Sequence, residues 1–435
     1  MARAGPAGLL GPDHPMRLPC SLSPRRLIRA LVFVTAGSIA AAGPDWPEFR
    51  GPTGQGLATA KDVPVQWDAT TNVRWKVPLP GEGWSSPVLV GDKLFLTTAE
   101  KAGPAPSLHA LCLAAADGRI LWNTEVLRAE AGATKEFHQK NSHASPTPLV
   151  RDGVVYVHFG HMGTAALDLN GQVLWRQTGI TYSPVHGNGA SPALVGDLLV
   201  FSCDGKAEPF LAALDTKTGT VRWKTPRQTT AKSKFSFATP LVIEVDGVTQ
   251  IISPGSGFVG GYDPQDGREL WRVRYGEGYS VIPRPVYAHG LLFVSSCFNR
   301  PVLYAINPRG AAGDATADHI VWSNPKGAPN TPSTLVVGDE LYEVSDGGIA
   351  SCFDARTGVL HWTERLGGDF SASPVHAEGR VYFQNEAGVG FVLKAGKTYE
   401  LLATNDLGER TLASPAVTDG ALFLRAKGHL WRIGK

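Results

Sequence analysis

The 435-residue sequence predicts an all-β fold, an eight-bladed β-propeller of four-stranded antiparallel blades. The main observation is a pattern that occurs eight times: a proline opens a short apolar strand, a Gly/Asp turn follows, and a second turn precedes a tryptophan. The prolines of the eight repeats are Pro87, Pro146, Pro192, Pro240, Pro285, Pro332, Pro374 and Pro415. Repeats of about 40–50 residues made of short strands are typical of propellers.

The third repeat shows how each blade is expected to form. Its first strand, 191–195, ends at Gly196-Asp197, a pair typical of two-residue hairpin turns. The second strand, 198–202, is a continuous apolar run, which indicates burial on both faces. The third strand is expected at 210–215 and the outer strand at 220–224.

Most repeats end in a turn followed by a tryptophan, whereas the seventh has Leu401-Leu402 in its place. In the third repeat the pattern is A-x-D-x-x-T-G-x-x-x-W: Asp215 caps the turn, Gly219 supplies a positive φ, and Trp223 follows. An indole at this place is expected to pack between neighbouring blades. The predicted docking residues are Trp75, Trp122, Trp175, Trp223, Trp271, Trp322 and Trp362. Trp46 lies outside the repeats and is expected to contribute less to stability.

The two ends of the repeat region predict how the ring closes. The eighth repeat stops at 429–433 without an outer strand, whereas 72–77 is an outer strand without a blade of its own. Pairing the two removes both open edges. The propeller is therefore predicted to span 72–435, closed by its N-terminal strand and preceded by an N-terminal extension, 43–71.

Residues 1–42 are predicted to be a secretory signal peptide. Basic residues precede and enter an apolar run, 27–42, which ends in the A-x-A cleavage pattern Ala40-Ala41-Ala42. A membrane anchor is the alternative, although the run is short for a span. Arg25-Arg26 is also compatible with twin-arginine export, and Met16 is an alternative start.

Export affects charge, location and partners. The signal peptide holds five Arg and one Asp, so its removal changes the formal net charge from +2 to −2. No basic run remains, which argues against nucleic acid as a partner. We expect a monomeric periplasmic or extracellular protein without an integral membrane segment after cleavage. Four cysteines in four different repeats are expected to be buried thiols: Cys112, Cys203, Cys297 and Cys352.

The turn motif resembles the repeat of pyrroloquinoline-quinone (PQQ) dehydrogenases and of their non-enzymatic relatives. The sixth repeat follows it from Cys352 to Trp362, and WPEFRGP at 46–52 resembles the start of secreted PQQ-like repeat proteins. One non-enzymatic relative is the assembly-factor lipoprotein of the outer-membrane β-barrel insertion machinery. The resemblance covers about residues 45–435 and implies a quinoprotein-alcohol-dehydrogenase-like propeller.

The residues that bind the quinone in that family have no match here. Quinone alcohol dehydrogenases of this type carry two adjacent Cys beside the cofactor and a Glu/Asn/Asp set that binds calcium. No two Cys are adjacent in this sequence, the calcium set cannot be matched, and no CxxCH motif for c-type haem occurs. We assign no cofactor and no metal, with PQQ as the open alternative.

Polar residues gather in the loops of one face. In each blade the loop before the first strand and the loop between the second and third strands are expected to meet at the channel mouth. Five histidines fall within 138–186, and histidine is a common metal ligand; the alternative is that they are rim side chains bonded to backbone carbonyls. The candidate ligand-binding residues are His138, Asn141, His143, His158, His161, His186, Asp204, Arg284, Asn299 and Arg300.

The favoured hypothesis is an exported, non-catalytic propeller that presents its loop face to a protein, peptide or glycan partner. It rests on a complete structural repeat in which we identify no catalytic set. The alternative is a quinone- or metal-dependent oxidoreductase with its site at the histidine-rich channel mouth. The sequence leaves catalysis undecided and names no ligand or pathway.

Overall fold

The structure is a computed structural model, and it describes residues 43–102, 105–129, 137–298 and 300–435. The predicted signal peptide, 1–42, and Asn299 lie outside the described residues. Among the described residues no helix is long and apolar enough to cross a membrane. One 3₁₀ turn, Gly160–Met162, interrupts a fold made of strands.

Eight antiparallel sheets form the blades, and strands are numbered here in chain order. The chain enters with β1 (Val73–Pro78). Blades 1 and 2 comprise β2 (Val88–Val90), β3 (Lys93–Ala102), β4 (Ala105–Ala114), β5 (Ile120–Arg128), β6 (Leu149–Arg151), β7 (Val154–His158), β8 (Thr164–Asp168) and β9 (Val173–Gln177). Blades 3 and 4 comprise β10 (Ala193–Val195), β11 (Leu198–Cys203), β12 (Phe210–Asp215), β13 (Val221–Pro226), β14 (Leu241–Val245), β15 (Val248–Gly255), β16 (Phe258–Tyr262) and β17 (Glu269–Arg274).

The second half of the ring repeats this order with one addition. Blades 5 and 6 comprise β18 (Val286–Ala288), β19 (Leu291–Ser295), β20 (Leu303–Ile306), β22 (Ile320–Asn324), β23 (Leu335–Val337), β24 (Glu340–Val344), β25 (Ile349–Asp354) and β26 (Leu360–Arg365); the extra strand is β21 (Gly313–Asp314). Blades 7 and 8 comprise β27 (Val375–Ala377), β28 (Arg380–Gln384), β29 (Val389–Lys394), β30 (Leu401–Asp406), β31 (Ala416–Thr418), β32 (Ala421–Arg425) and β33 (His429–Gly434).

The predicted ring closure is confirmed. Strand β1 pairs antiparallel with β33 and supplies the outer strand of blade 8, with Val77 opposite Leu430. The Trp75 indole then donates to the Ala115 carbonyl of blade 1 at 3.1 Å. Both ends of the repeat region are thereby paired, and the eight-bladed prediction holds.

The tryptophans follow one rule with one exception. Six indoles each donate a hydrogen bond to a backbone carbonyl in the closing turn of the next blade: Trp75, Trp122, Trp175, Trp223, Trp322 and Trp362. The turn glycine must lack a side chain, since a Cβ on Gly219 would stand 2.5 Å from the Trp175 ring. Trp271 instead donates to Gln250 of its own blade, and β21 pairs alongside it.

In blades 2 and 6 the predicted start of the first strand is two residues too early. The first strand of blade 2 begins at Leu149, directly after Pro148, and that of blade 6 begins at Leu335, directly after Thr334. Pro146 and Pro332 therefore precede the true boundary. Blade 2 carries two candidate prolines in S-P-T-P, and the strand follows the second.

The N-terminal extension packs against the innermost strands. Trp46 pairs with Leu89 of blade 1, and the Gly56 carbonyl accepts the His376 N–H of blade 7 at 2.8 Å. Trp46 is 1% exposed within the largest core cluster. Trp46 is more buried than Trp223, which argues against a lesser contribution of Trp46 to stability; its contribution stays a prediction.

Candidate functional site

A cavity of about 580 Å³ occupies the loop-face end of the channel. Loops before the first strands of several blades line it, and Phe49 of the N-terminal extension forms part of the lining. Neighbouring residues of the extension bond to opposite sides of the ring: Pro47 accepts the Val150 N–H, and Phe49 accepts from Arg284. The extension therefore closes the channel beneath the cavity, which leaves the loop face as its entrance.

A ring of hydroxyls lies deep in this cavity. In seven blades the residue two positions before the first strand is Ser or Thr. All seven line the cavity and are at most 4% exposed. The hydroxyl ring consists of Ser86, Thr147, Ser191, Thr239, Ser333, Ser373 and Ser414. Each oxygen accepts the backbone N–H of the equivalent residue in the preceding blade, at 2.9–3.1 Å.

Arg284 takes the eighth position of the ring. Its side chain is 3% exposed and turns away from the cavity, donating to the carbonyls of Phe49 (2.7 Å) and Pro240 (3.1 Å). Glu48 lies 3.5 Å from the guanidinium. A Cβ at Gly54 would stand 2.4 Å from Arg284 Nη1, so the extension can wrap this arginine because Gly54 lacks a side chain. Arg284 anchors the extension.

One wall of the cavity is a chain of contacting rings. The aromatic arc consists of His138, His186, Phe235, Tyr279 and Phe298. Successive centroids are 5.6, 5.4, 5.3 and 6.0 Å apart, mostly edge to face, which is a favourable arrangement for aromatic pairs. His186 holds φ 64, a left-handed conformation that is uncommon outside glycine and that marks functional loops more often than others.

The facing side of the cavity carries polar side chains next to Trp84 and Leu412. Lys140 Nζ, from the loop before blade 2, lies 2.7 Å from the Glu386 carboxylate of blade 7, which also accepts from Ser371 Oγ. Asp346 lines the cavity, and its carboxylate accepts the N–H groups of Asn330 and Thr331. Both carboxylates are thus held by neighbouring donors, and the loop before blade 2 is tied to blade 7.

Of the nine sequence-predicted ligand residues that the structure describes, three reach the cavity. His138, Asn141 and His186 line it and contact one another: the His138 N–H and the Asn141 amide both donate to the His186 carbonyl. The hydroxyl ring and most of the aromatic arc were not predicted from the sequence. A signal for the ring existed, since the residue before the repeated Pro is Ser or Thr in most repeats.

Two other predicted residues are buried between blades, so the expectation that they face the mouth is wrong for them. His158 is 1% exposed, bonds Thr164 Oγ1 at 2.8 Å and packs on Phe201; burial lowers its pKa to about 3. Asp204 pairs with Arg227 at 2.7 Å, both side chains being 1% exposed, and burial raises the pKa of Asp204 to about 6.

The remaining candidates lie at the edge of the site or outside it. His143 packs on Phe137 and lines a separate groove, and burial lowers its pKa. His161 bonds Asn188, and Arg300 is exposed and does not line the cavity. Arg284 turns below the ring and so does not reach the channel mouth, where its loop was expected to place it. Within the described ranges no three His, Cys, Asp or Glu side chains could jointly hold a metal ion.

A family model described as outer membrane protein assembly factor BamB matches residues 107–247 and 310–430, more than half of the chain. The chain belongs to this PQQ-repeat family. Its match covers most of the blades and not the N-terminal extension.

One curated relative and two solved structures extend this result. Tetrathionate hydrolase of Acidithiobacillus ferrooxidans is 25% identical over 285 residues, 55% of this chain and 51% of that protein, so the chain spans about half the length of that relative. BamB from Moraxella catarrhalis superposes with a TM-score of 0.59 at 13% identity, covering 83% of this chain and 97% of that chain. A europium-containing methanol dehydrogenase gives 0.64 at 12% identity, covering 88% and 90%. At these identities the two structures support the fold alone.

The cavity residues do not fit a metal-bound quinone. The cysteines in the described part of the chain are buried on separate blades, and none lines the cavity. Asp346 is the carboxylate that lines the cavity, and its oxygens are already held by its own loop through Asn330 and Thr331. No reaction step through a quinone is derived from this site.

Proposed function

We propose that this protein is an exported, non-catalytic propeller that binds a peptide segment of a protein partner in its loop-face cavity. The observation that carries the proposal is the aromatic arc, which faces a few polar side chains above a closed floor. Concave sites of about 300–1,000 Å³ with apolar walls and a few placed polar groups are typical of ligand pockets. The membership of the BamB family supports a protein partner.

The physical basis is preorganisation. The rings of the arc hold one another, and His186 and Ser280, which both line the cavity, are kept at φ 64 and φ 54 by the surrounding loops. A wall that is already ordered loses little entropy when a ligand binds. Tyr279, between Phe235 and Phe298 in the arc, is the best-placed residue for an apolar peptide side chain.

The test uses N-terminally fluorescein-labelled hexapeptides with Phe, Tyr or Trp at each position in turn, measured by fluorescence polarisation. We expect binding to the wild-type protein and a loss of roughly tenfold or more for Tyr279→Ala, as for a central aromatic contact. Leu401→Ala, at a 43% exposed residue on the outer strand of blade 7, is the matched control and should bind as wild type.

The result that overturns the proposal is equally direct. Peptide binding that survives Tyr279→Ala unchanged places the ligand elsewhere. A glycan array that gives saturable binding where no peptide binds points to a sugar ligand. A stoichiometric change in the visible spectrum of added PQQ, lost in Tyr279→Ala, favours the oxidoreductase alternative.

A further inference from the structure

The hydroxyl groups of the ring are still able to donate hydrogen bonds. Each of its seven oxygens accepts a backbone N–H from the neighbouring blade, and no protein acceptor is recorded in the described part of the chain for any of the seven hydroxyl protons. A Ser or Thr hydroxyl has one proton to donate as well as lone pairs to accept with. The protons are therefore available at the cavity floor, on side chains at most 4% exposed.

The surroundings do not satisfy these donors. The Asp346 carboxylate accepts from the N–H groups of Asn330 and Thr331, and the Glu386 carboxylate accepts from Lys140 at 2.7 Å and from Ser371. Below the ring lie Arg284, whose guanidinium is 3.5 Å from Glu48, and the fully buried Arg50, which donates to the Thr334 carbonyl. The side chains at and below the cavity floor are therefore mostly hydrogen-bond donors.

We infer that the hydroxyl ring binds the C-terminal carboxylate of the peptide, which enters the cavity end-on. This rests on the proposed function and specifies which end of the partner is recognised. An ionised carboxylate accepts hydrogen bonds and donates none, and it has about four lone-pair sites. Three or four neighbouring hydroxyls would serve it, while the aromatic arc packs against the last side chains of the segment.

The hydroxyl ring should distinguish a C-terminal carboxylate from a C-terminal amide by the hydrogen bonds that each can form. A C-terminal amide has the shape of a carboxylate but presents two N–H donors to a ring of donors. Binding the amide leaves those groups unpaired, and sites built for one hydrogen-bonding pattern reject its inverse strongly. Capture of a C-terminal carboxylate by converging backbone N–H donors is a known mode of peptide recognition, and the hydroxyl ring would supply side-chain donors in their place.

The experiment compares each binding hexapeptide with its C-terminal amide on the same full-length mature protein. We expect the free acid to bind at least about tenfold more tightly, which corresponds to one unsatisfied buried polar group. Thr147→Val and Thr239→Val, which remove hydroxyls of the ring, should reduce this acid-over-amide ratio. Thr147→Ser keeps the hydroxyl and should restore it.

The control separates recognition from stability. Thr97→Val removes a hydroxyl that is 0% exposed and bonded to the Ala144 and Pro146 carbonyls but does not line the cavity. It should lower the melting temperature without changing the acid-over-amide ratio. If Thr147→Val fails to fold, Thr239→Val and the wild-type acid and amide pair still decide the question.

Each remaining outcome counts for or against the inference. Equal affinity for acid and amide overturns end-on recognition while leaving peptide binding intact. Absence of all peptide binding overturns the proposed function itself. Saturable binding of benzoate or inorganic sulfate with no peptide binding shows a small-anion site and overturns the peptide assignment.

Discussion

His186 stands exposed in the aromatic arc, whereas His158, at the end of a strand in blade 2, is 1% exposed and bonds Thr164. The two come from loops that the sequence places on the same face. Asp346 at the cavity and Asp204 between blades form a second such pair. The contrast shows that the packing of the neighbouring blade, rather than the loop of origin, decides whether a polar side chain can meet a ligand.

Polar side chains that are buried away from the cavity, such as His158 and Asp204, are called sealed groups here. Glu343 is another of them. It lies on β24, is 0% exposed, and its two carboxylate oxygens have no recorded partner among the described residues. Burial raises its pKa to about 8. Sealed groups should therefore control stability and its pH dependence, whereas groups at the cavity should control binding. Four predictions test this division, from the largest expected effect to the smallest.

Asp204→Asn should have the largest effect. It leaves the Arg227 guanidinium buried without its counter-charge, and breaking a buried pair in this way costs about 3–5 kcal/mol. Chemical denaturation measures the free energy of unfolding. Asp346→Asn is the cavity counterpart and should cost much less, since its amide oxygen can still accept from the loop. Equal losses would remove the distinction between the two groups.

Glu343→Gln should change how stability depends on pH. Because the folded pKa of Glu343, about 8, lies above its ordinary value of 4.5, the folded state holds a proton that the unfolded state has lost between those values. Its contribution to stability therefore falls as pH rises through this window. The neutral variant should gain on wild type from pH 5 to pH 8 in urea titrations. A difference independent of pH would contradict this.

Thr147→Val should have an intermediate effect on stability. The change leaves the Ser86 N–H without its acceptor at a buried position, which costs about 1–3 kcal/mol. Thermal unfolding gives the loss, and Thr147→Ser should stay close to wild type. A loss as large as that of Asp204→Asn would mean that the ring is primarily a structural girdle.

His186→Ala should have the smallest effect on folding. The side chain is exposed, and surface changes typically stay within about 0.5 kcal/mol. Peptide binding measured by fluorescence polarisation should nevertheless weaken, because the arc loses a ring that contacts Phe235. His158→Ala should do the reverse. If His186→Ala destabilises the protein as much as His158→Ala does, the division between sealed groups and cavity groups is wrong.

The architecture could be predicted because it depends on local patterns. Turn residues, strand lengths and the repeated Trp recur at a regular spacing, and the unpaired strand at 72–77 predicted closure. The two register errors, at Pro146 and Pro332, arose because proline also occurs in loops. The strand β21 could not be foreseen, since its parallel pairing with β17 comes from a neighbouring blade.

The site was less predictable because it depends on contacts between repeats. His138 and His186 could be found as polar loop residues, whereas Phe235, on an equivalent loop, is apolar and was not considered. Burial of Asp204 is caused by Arg227, 23 residues further along the chain. No local pattern reveals that the two face each other between sheets.

The closing strand has a consequence for how the protein is made. Strand β1 is synthesised hundreds of residues before β33, yet Val73 ends opposite Ile433. Until β33 has left the ribosome, β1 has no partner strand, and a contact of such long range forms slowly. If the chain stays unfolded until synthesis is complete, this order of synthesis has no effect on ring closure. If the chain folds as it emerges, the edge of β1 stays unpaired through most of synthesis.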